Sequence, residues 1–191
     1  ASSTSVMRGT FHDGLMADRC PKVHVRMATR DDIIDMVAVS LDSVNDDELM
    51  EYGGPNYGSP FRDVSRLSAV WCEPNIVNGE EIFVAEEDGV VVGLVVVEDR
   101  GSDLELVDID VARAERGRGI GIRLVEFVEE QARSRGRRSV TLGTCRNPSG
   151  VPWKSLPWWQ ARGYLVTHEE ENSWTRSLGP GFREIRMRKD V

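Results

Sequence analysis

The run Arg116-Gly117-Arg118-Gly119-Ile120-Gly121 has the residues needed to hold a phosphate. Three glycines at alternate positions let a backbone turn tightly and approach a ligand, because no Cβ stands in the way. The run follows an apolar, strand-like stretch, Leu104 to Val111, and opens an amphipathic helix that ends at Arg135. Amides at a helix start lack intrahelical acceptors and point outward, where the helix dipole is positive. Together they make an anion site. Just upstream, Glu105, Asp108 and Asp110 put three carboxylates on one strand. Carboxylates are groups that can take a proton from an amine or bind it as a cation.

The spacing excludes two phosphate-binding motifs. A P-loop ends Gly-Lys-Ser/Thr, whereas Gly121 is followed by Ile122 and Arg123. The dinucleotide fingerprint needs a third glycine where Ile122 stands. What remains is Arg-x-x-Gly-x-Gly from Arg116 to Gly121. This resembles the acetyl-CoA signature of the GCN5-related N-acetyltransferases (GNAT), which follows their fourth strand. The resemblance covers the chain from Lys22 onward and implies the acyl-CoA N-acyltransferase fold. That fold is an α/β (α+β) arrangement: a mixed, mostly antiparallel sheet of about six to seven strands with helices on both faces.

The resemblance also implies where acetyl-CoA lies. In the family the fourth and fifth strands splay and the cofactor enters the gap. Ile109 and Val111 would then offer backbone groups to pantetheine. The amides of Arg116, Gly117, Arg118, Gly119, Ile120, Gly121 and Ile122 would hold the pyrophosphate. Backbone shape matters more there than the side chains of Arg118 and Ile120, and Gly119 and Gly121 are the least replaceable. Asn147 would touch pantetheine from the next helix. Histone-type members carry a catalytic glutamate upstream of the motif, at a separation that lands on Glu105.

Acyl transfer to an amine needs a base, because an alkylamine has a pKa of ~10. Strict alternation puts Glu105 on one strand face with Val107, Ile109 and Val111, and Asp108 and Asp110 on the other. A carboxylate among those apolar neighbours would have a raised pKa. Glu105 is therefore a candidate base, with Asp108 and Asp110 as alternatives that would act through water or bind the amine. The Val111 amide is a candidate donor to the thioester oxygen. The general acid is unknown. Many family members carry a tyrosine in a Tyr-x-x-x-Gly-Phe pattern, but here the run is Trp159-Gln160-Ala161-Arg162-Gly163-Tyr164. An indole N–H is no proton source at neutral pH, Tyr164 reads as core, and Tyr52 and Tyr57 remain. Trp153, Trp158 and Trp159 read as core packing or as an apolar wall for the substrate.

These residues need elements to position them. Lys22 to Thr29 alternates as a strand, and Thr29 caps a helix carrying Ile33, Val37 and Leu41. Asn45 to Pro60 reads as an acidic, turn-rich loop, and Phe61 to Cys72 as a second helix. Strands follow at Glu81–Glu86, Val90–Glu98 and Leu104–Val111, the first two joined by an Asp88-Gly89 hairpin. Val90–Glu98 is apolar enough to be buried on both faces. The helix Arg118 to Arg135 buries Gly121, Leu124, Val125, Val128 and Ala132. A strand Ser139–Cys145, a helical stretch around Lys154 to Arg162, and strands Tyr164–His168 and Glu184–Arg188 complete the order, the last two joined by a polar loop. The sequence reads as one acetyltransferase domain over 22–191, after a mobile arm or non-native leader over 1–21.

With 191 residues and 40% apolar composition the chain has material for one core. A net charge of −8 argues against a nucleic-acid partner and suits a cationic small-molecule or peptide amine. The candidate acids for such an amine lie in two loops: Asp46, Asp47, Glu48 and Glu51, and Glu169 to Glu171 with Trp174. No apolar run approaches the ~20 residues of a membrane span. Three scattered cysteines (Cys20, Cys72, Cys145) and three scattered histidines form no metal pattern and fit a reducing, cytoplasmic setting. The function implied is an acetyl-CoA-dependent N-acetyltransferase acting by direct attack in a ternary complex, with no metal. The alternatives are a catalytically impaired CoA-binding regulatory module and another kind of nucleotide-binding domain. A homodimer is left open.

Overall fold

The computed structural model describes residues 23–43 and 79–191. The arm over 1–21, the loop Asn45 to Pro60 with its acids, Tyr52 and Tyr57, and the helix Phe61 to Cys72 all lie outside the described residues.

β1 (His24–Met27) leads through a short 3-10 turn into α1 (Ile33–Ser43). The turn is held as its sequence suggests: the Asp32 carboxylate accepts from the Thr29 N–H at 2.7 Å and from its hydroxyl at 2.9 Å. β2 (Glu80–Glu87), β3 (Val90–Asp99) and β4 (Asp103–Val111) form a meander. Asp88 (φ 51°) and Gly89 (φ 82°) make the first turn, both in the left-handed region that an Asp-Gly hairpin requires. α2 (Ile120–Ser134) crosses to β5 (Ser139–Arg146), followed by α3 (Ser155–Gln160), β6 (Leu165–Glu170), α4 (Ser173–Leu178) and β7 (Arg183–Asp190).

The seven strands form one sheet in the order β1-β2-β3-β4-β5-β7-β6. β4 and β5 run parallel, and every other neighbouring pair is antiparallel. α2 covers one face, packing Leu124, Val125, Val128 and Ala132 against Val95, Val97, Leu104, Leu106, Val140 and Leu142. α1 covers the other, with Met36, Val37 and Val39 against Ile82, Val84, Leu94 and Val96. β3 thus feeds both cores, which is why its sequence is apolar without alternation. Each fully buried Val or Leu contributes about 1.5–3 kcal/mol.

Two expectations need correction. The connection between β6 and β7 is not a loop throughout: it holds α4, capped by Asn172, whose side chain accepts from the Thr175 N–H at 3.0 Å. The signal was present as Asn172-Ser-Trp-Thr175, a capping box. The second correction lies in β4 and shapes the site. Val96 pairs with Asp108 but Val97 pairs with Leu106, so Val107 is an extra residue in a β-bulge. Strict alternation fails there. Leu104, Leu106, Ile109 and Val111 all turn to the α2 face. Glu105, Asp108 and Asp110 share the opposite face, and Glu105 does not share a face with Ile109 and Val111.

Candidate active site

The β4–β5 ladder runs from Asp103↔Ser139 to Leu106↔Leu142 and stops there. β4 continues to Val111 and β5 to Arg146, unpaired with each other, so a gap opens at the bulge. The Ala112 N–H donates to the Val92 carbonyl at 3.0 Å. By alternation, Asp110 and Asp108 also direct their backbone groups toward β3, while Ile109 and Val111 direct theirs into the gap. The gap widens into a cleft of about 1250 Å³. Ile109, Val111, Arg116, Gly117, Gly119, Ile120, Gly121 and Ile122 all line it.

At the cleft's mouth Gly117 (φ 80°) and Gly119 (φ 85°) adopt left-handed backbone, and Gly119 caps α2. Glycine takes these angles freely, whereas most residues with a Cβ take them only with strain. Among the described residues the amides of Gly117 to Ile122 donate to no backbone carbonyl; the next bond is Arg123 N–H to Gly119 at 3.0 Å. These amides are available to an anion. Gly121 differs from the other two. Its φ is not positive, and a Cβ there would lie in ordinary contact, 3.6 Å from the Trp158 ring. The fold therefore demands glycine at 117 and 119, not at 121.

The loop's arginines are held by the protein. Arg116 donates to the Val111 carbonyl at 3.2 Å and to the Ser43 carbonyl at 2.6 Å, tying the loop to β4 and α1. Arg118 pairs with Glu87 at 2.8 Å and with Glu115. Asn147 does not line the cleft. Its side-chain oxygen accepts from the amides of Ser149 (3.0 Å) and Val151 (2.9 Å) and closes its own loop.

The three carboxylates sit in different surroundings. Glu105 is buried, but not among apolar groups: Arg186 donates to it at 2.7 Å, Thr141 donates to it, and Arg100 lies at 3.7 Å. Arg186 also pairs with Glu184 at 2.8 Å. Burial alone would lower the Arg186 pKa, but the bonds and charges of Glu105 and Glu184 outweigh it and raise it. Glu184 lies over Gly143, where any Cβ would overlap its carboxylate. Asn172 donates to Glu184 and so joins α4 to this network.

Asp110 accepts from the hydroxyls of Ser40 and Ser43 on α1, each at 2.5 Å. Burial raises its pKa against those bonds. Among the described residues Asp108 has no cation beside it. It keeps some surface in the cleft but is closely surrounded by protein atoms, and its one hydrogen bond comes from the Ile109 N–H at 2.9 Å. Burial, then the Asp110 charge, push its pKa up to about 8. Glu80 and Glu98 complete this acidic wall; burial and the Glu98 charge raise the Glu80 pKa.

Trp159 is core, as is Tyr164, fully buried with its hydroxyl donating to Glu129 at 3.3 Å. Trp158 is partly buried and lines the cleft, stacked edge-on to Trp159 at 4.6 Å. Trp153 and Trp174 meet at 5.8 Å and line its far side. Of the loop acids in the described region, Glu169 is held by Arg146 at 2.7 Å and Glu171 lies near Arg176 at 3.7 Å. Only Glu170 of the three lines the cleft.

The acetyltransferase (GNAT) family model matches residues 42–150, more than half the chain. The chain belongs to the GNAT acetyltransferase family. No curated protein matches its sequence. Among solved structures it is similar to an N-acetyltransferase from Staphylococcus aureus Mu50, 21% identical with a TM-score of 0.64 over 88% of this chain and 98% of that one. It is also similar to nourseothricin acetyltransferase, 20% identical, TM-score 0.61, over 88% and 98%. A third is the PaiA N-acetyltransferase from Thermoplasma acidophilum, solved with coenzyme A: 14% identical, TM-score 0.62, over 89% and 99%. At these identities the likeness is one of fold.

Reading residues alone missed Arg186, Glu184, Gly143, Arg162 and the serines of α1. The serines and the β7 pair carry no motif and enter the cleft only through the sheet. Trp158 and Arg162 had a signal, helical i,i+4 spacing beside the expected cofactor groove. Among the described residues no cluster of His, Cys, Asp and Glu is placed to hold a metal ion, and no helix is long and apolar enough to cross a membrane.

Proposed function

We propose that this protein transfers an acetyl group from acetyl-CoA to a primary amine, by direct attack in a ternary complex, and that the amine is cationic before it reacts. The observation that carries this is the gap between β4 and β5, with uncommitted amides from Gly117 to Ile122 at its mouth. The residues present fit the cofactor: a backbone anion site at one end and unpaired strand edges along the wall. Acetyl-CoA supplies an acyl carbon made reactive by its thioester. The amides of Gly117 to Ile122 would bind its diphosphate, and the Ile109 carbonyl and Val111 N–H would face its pantetheine arm, the Ile109 N–H being held by Asp108 and the Val111 carbonyl by Arg116. The Val111 N–H holds the thioester oxygen.

Asp108 is the base in this reading, in preference to Glu105. Its raised pKa lets it accept the amine's proton near the operating pH. It also faces the gap with no cation in competition. Glu105 is locked by Arg186 and acts as a positioning group for that arginine. Asp110, Glu80 and Glu98 give the wall the sign that attracts an ammonium ion. Among the described residues no side chain is assigned as general acid, since Trp159 and Tyr164 belong to the core. The second reading is a CoA-binding regulatory module without turnover, favoured by the buried Trp159 that stands where the family pattern has a tyrosine.

One assay separates the two. CoA release is followed with a panel of polyamines, aminoglycosides and peptide amines, alongside calorimetric binding of acetyl-CoA. Release above hydrolysis with a cationic amine supports the enzyme. Binding without release for any amine favours the module, and no binding at all removes both.

A further inference from the structure

Arg162 is the anomaly of the cleft. Its guanidinium carbon lies over the Trp158 ring, 3.4 Å from the centroid. It makes one hydrogen bond, from Nη1 to the Trp158 carbonyl at 2.6 Å. Among the described residues it has no ion pair, and its Nε is buried without a partner. Burial lowers its pKa, with nothing to oppose it. A partly buried arginine with a shielded Nε normally has a carboxylate or another strong acceptor. The other arginines that line the cleft have such acceptors: Arg100 and Arg186 pair with glutamates, and Arg116 bonds two carbonyls.

Its position says what is missing. The Trp158 ring that carries the guanidinium also covers Gly121, in the first turn of α2. Arg162 therefore stands on the α3 side of the cleft, across from the uncommitted amides of Gly117 to Ile122. A planar fork of N–H groups, carried on an indole in a cleft whose other end offers free helix-start amides, matches a phosphate.

We propose that Arg162 is the cation that binds a phosphate of the cofactor's nucleotide end, with Trp158 as the surface that holds its fork in place. This rests on the acetyl-CoA reading above. Two phosphates share this chemistry, the diphosphate and the 3′-phosphate of CoA. The amides alone would bind a phosphate weakly in salt. The guanidinium adds charge and a second direction of contact.

The test is calorimetry of CoA and of dephospho-CoA with the wild type, R162Q and R162K, at low and moderate salt. R162Q should weaken CoA about tenfold, the size of one charge-assisted hydrogen bond, and flatten its salt dependence. R162K keeps the charge and should recover most of the affinity. A loss confined to CoA, with dephospho-CoA already weak on the wild type, assigns the 3′-phosphate. An equal loss for both ligands assigns the diphosphate. If R162Q binds both ligands as the wild type does, the proposal is overturned while the acetyl-CoA reading stands. If R162K is as weak as R162Q, a charge-based role is overturned. A wild type that binds neither ligand overturns both readings. Melting temperatures report the fold separately: R162Q loses the ring contact and the carbonyl bond to Trp158, so a lower melting temperature with unchanged CoA affinity marks a structural role and overturns the proposal.

Discussion

Replacing Asp108 by Asn should slow acetyl transfer and, above about pH 8, make the protein more stable. Asn keeps the shape and the oxygen that accepts the Ile109 N–H, and removes only the charge. The Asp108 pKa is pushed up to about 8, by burial first and the Asp110 charge second. A free aspartate titrates at about 3.9, and each pKa unit is worth about 1.4 kcal/mol, so the ceiling is about 5.5 kcal/mol. Cleft water and sharing with Asp110 reduce this to about 2–3 kcal/mol. The sign follows from proton binding. Between about pH 4 and about pH 8 the folded carboxyl holds a proton that the unfolded chain has released. Stability contributed by this group is therefore present at low pH and lost as pH rises through about 8. The variant should gain about 2–3 kcal/mol over the wild type at about pH 9 relative to about pH 5, measured by urea unfolding at both. Turnover should fall about a hundredfold or more, and the rise in rate as pH climbs through about 8 should vanish. Unchanged turnover with an unchanged pH profile would refute the assignment of Asp108 as base. A variant less stable than the wild type at high pH would refute the electrostatics.

Arg186→Met leaves Glu105 and Glu184 buried without their shared cation and should cost about 3–5 kcal/mol, read by chemical denaturation. Gly143→Ala should cost about 2 kcal/mol by driving the Glu184 carboxylate off Arg186. A double-mutant cycle with Glu184→Ala should recover most of that, and strict additivity would contradict the overlap. Gly119→Ala should lose about 1–2 kcal/mol from its left-handed backbone and weaken CoA in calorimetry, whereas Gly121→Ala should leave the melting temperature nearly unchanged. Glu105→Gln should lower stability while retaining the pH profile of the wild type. A lost basic limb in its rate profile would return the base to Glu105.

Much of the fold was legible because its signals are local. The Asp88-Gly89 hairpin, the apolar run of β3, the glycine turn before α2 and the stripe Leu124, Val125, Val128 and Ala132 each lie within a few residues of one another. Turn chemistry and periodicity act over that range. α4 was equally local and was hidden only by the acidic residues around its cap. The bulge at Val107 was not legible. It depends on how β4 meets β3, and no residue type marks it. One extra residue reversed which carboxylates share a face, and so exchanged the surroundings expected for Glu105 with those of Asp108.

The sequence alone determined that a glycine turn opens α2 and leaves helix-start amides without intrahelical partners, because glycine spacing and a helix start suffice for that. It also determined that carboxylates lie one strand upstream. Tertiary structure decided what those groups can do. Arg186 reaches Glu105 from β7, Ser40 and Ser43 reach Asp110 from α1, and no cation among the described residues reaches Asp108. Proton affinity and charge depend on neighbours brought together across the sheet, and their separation along the chain carries no record of that meeting.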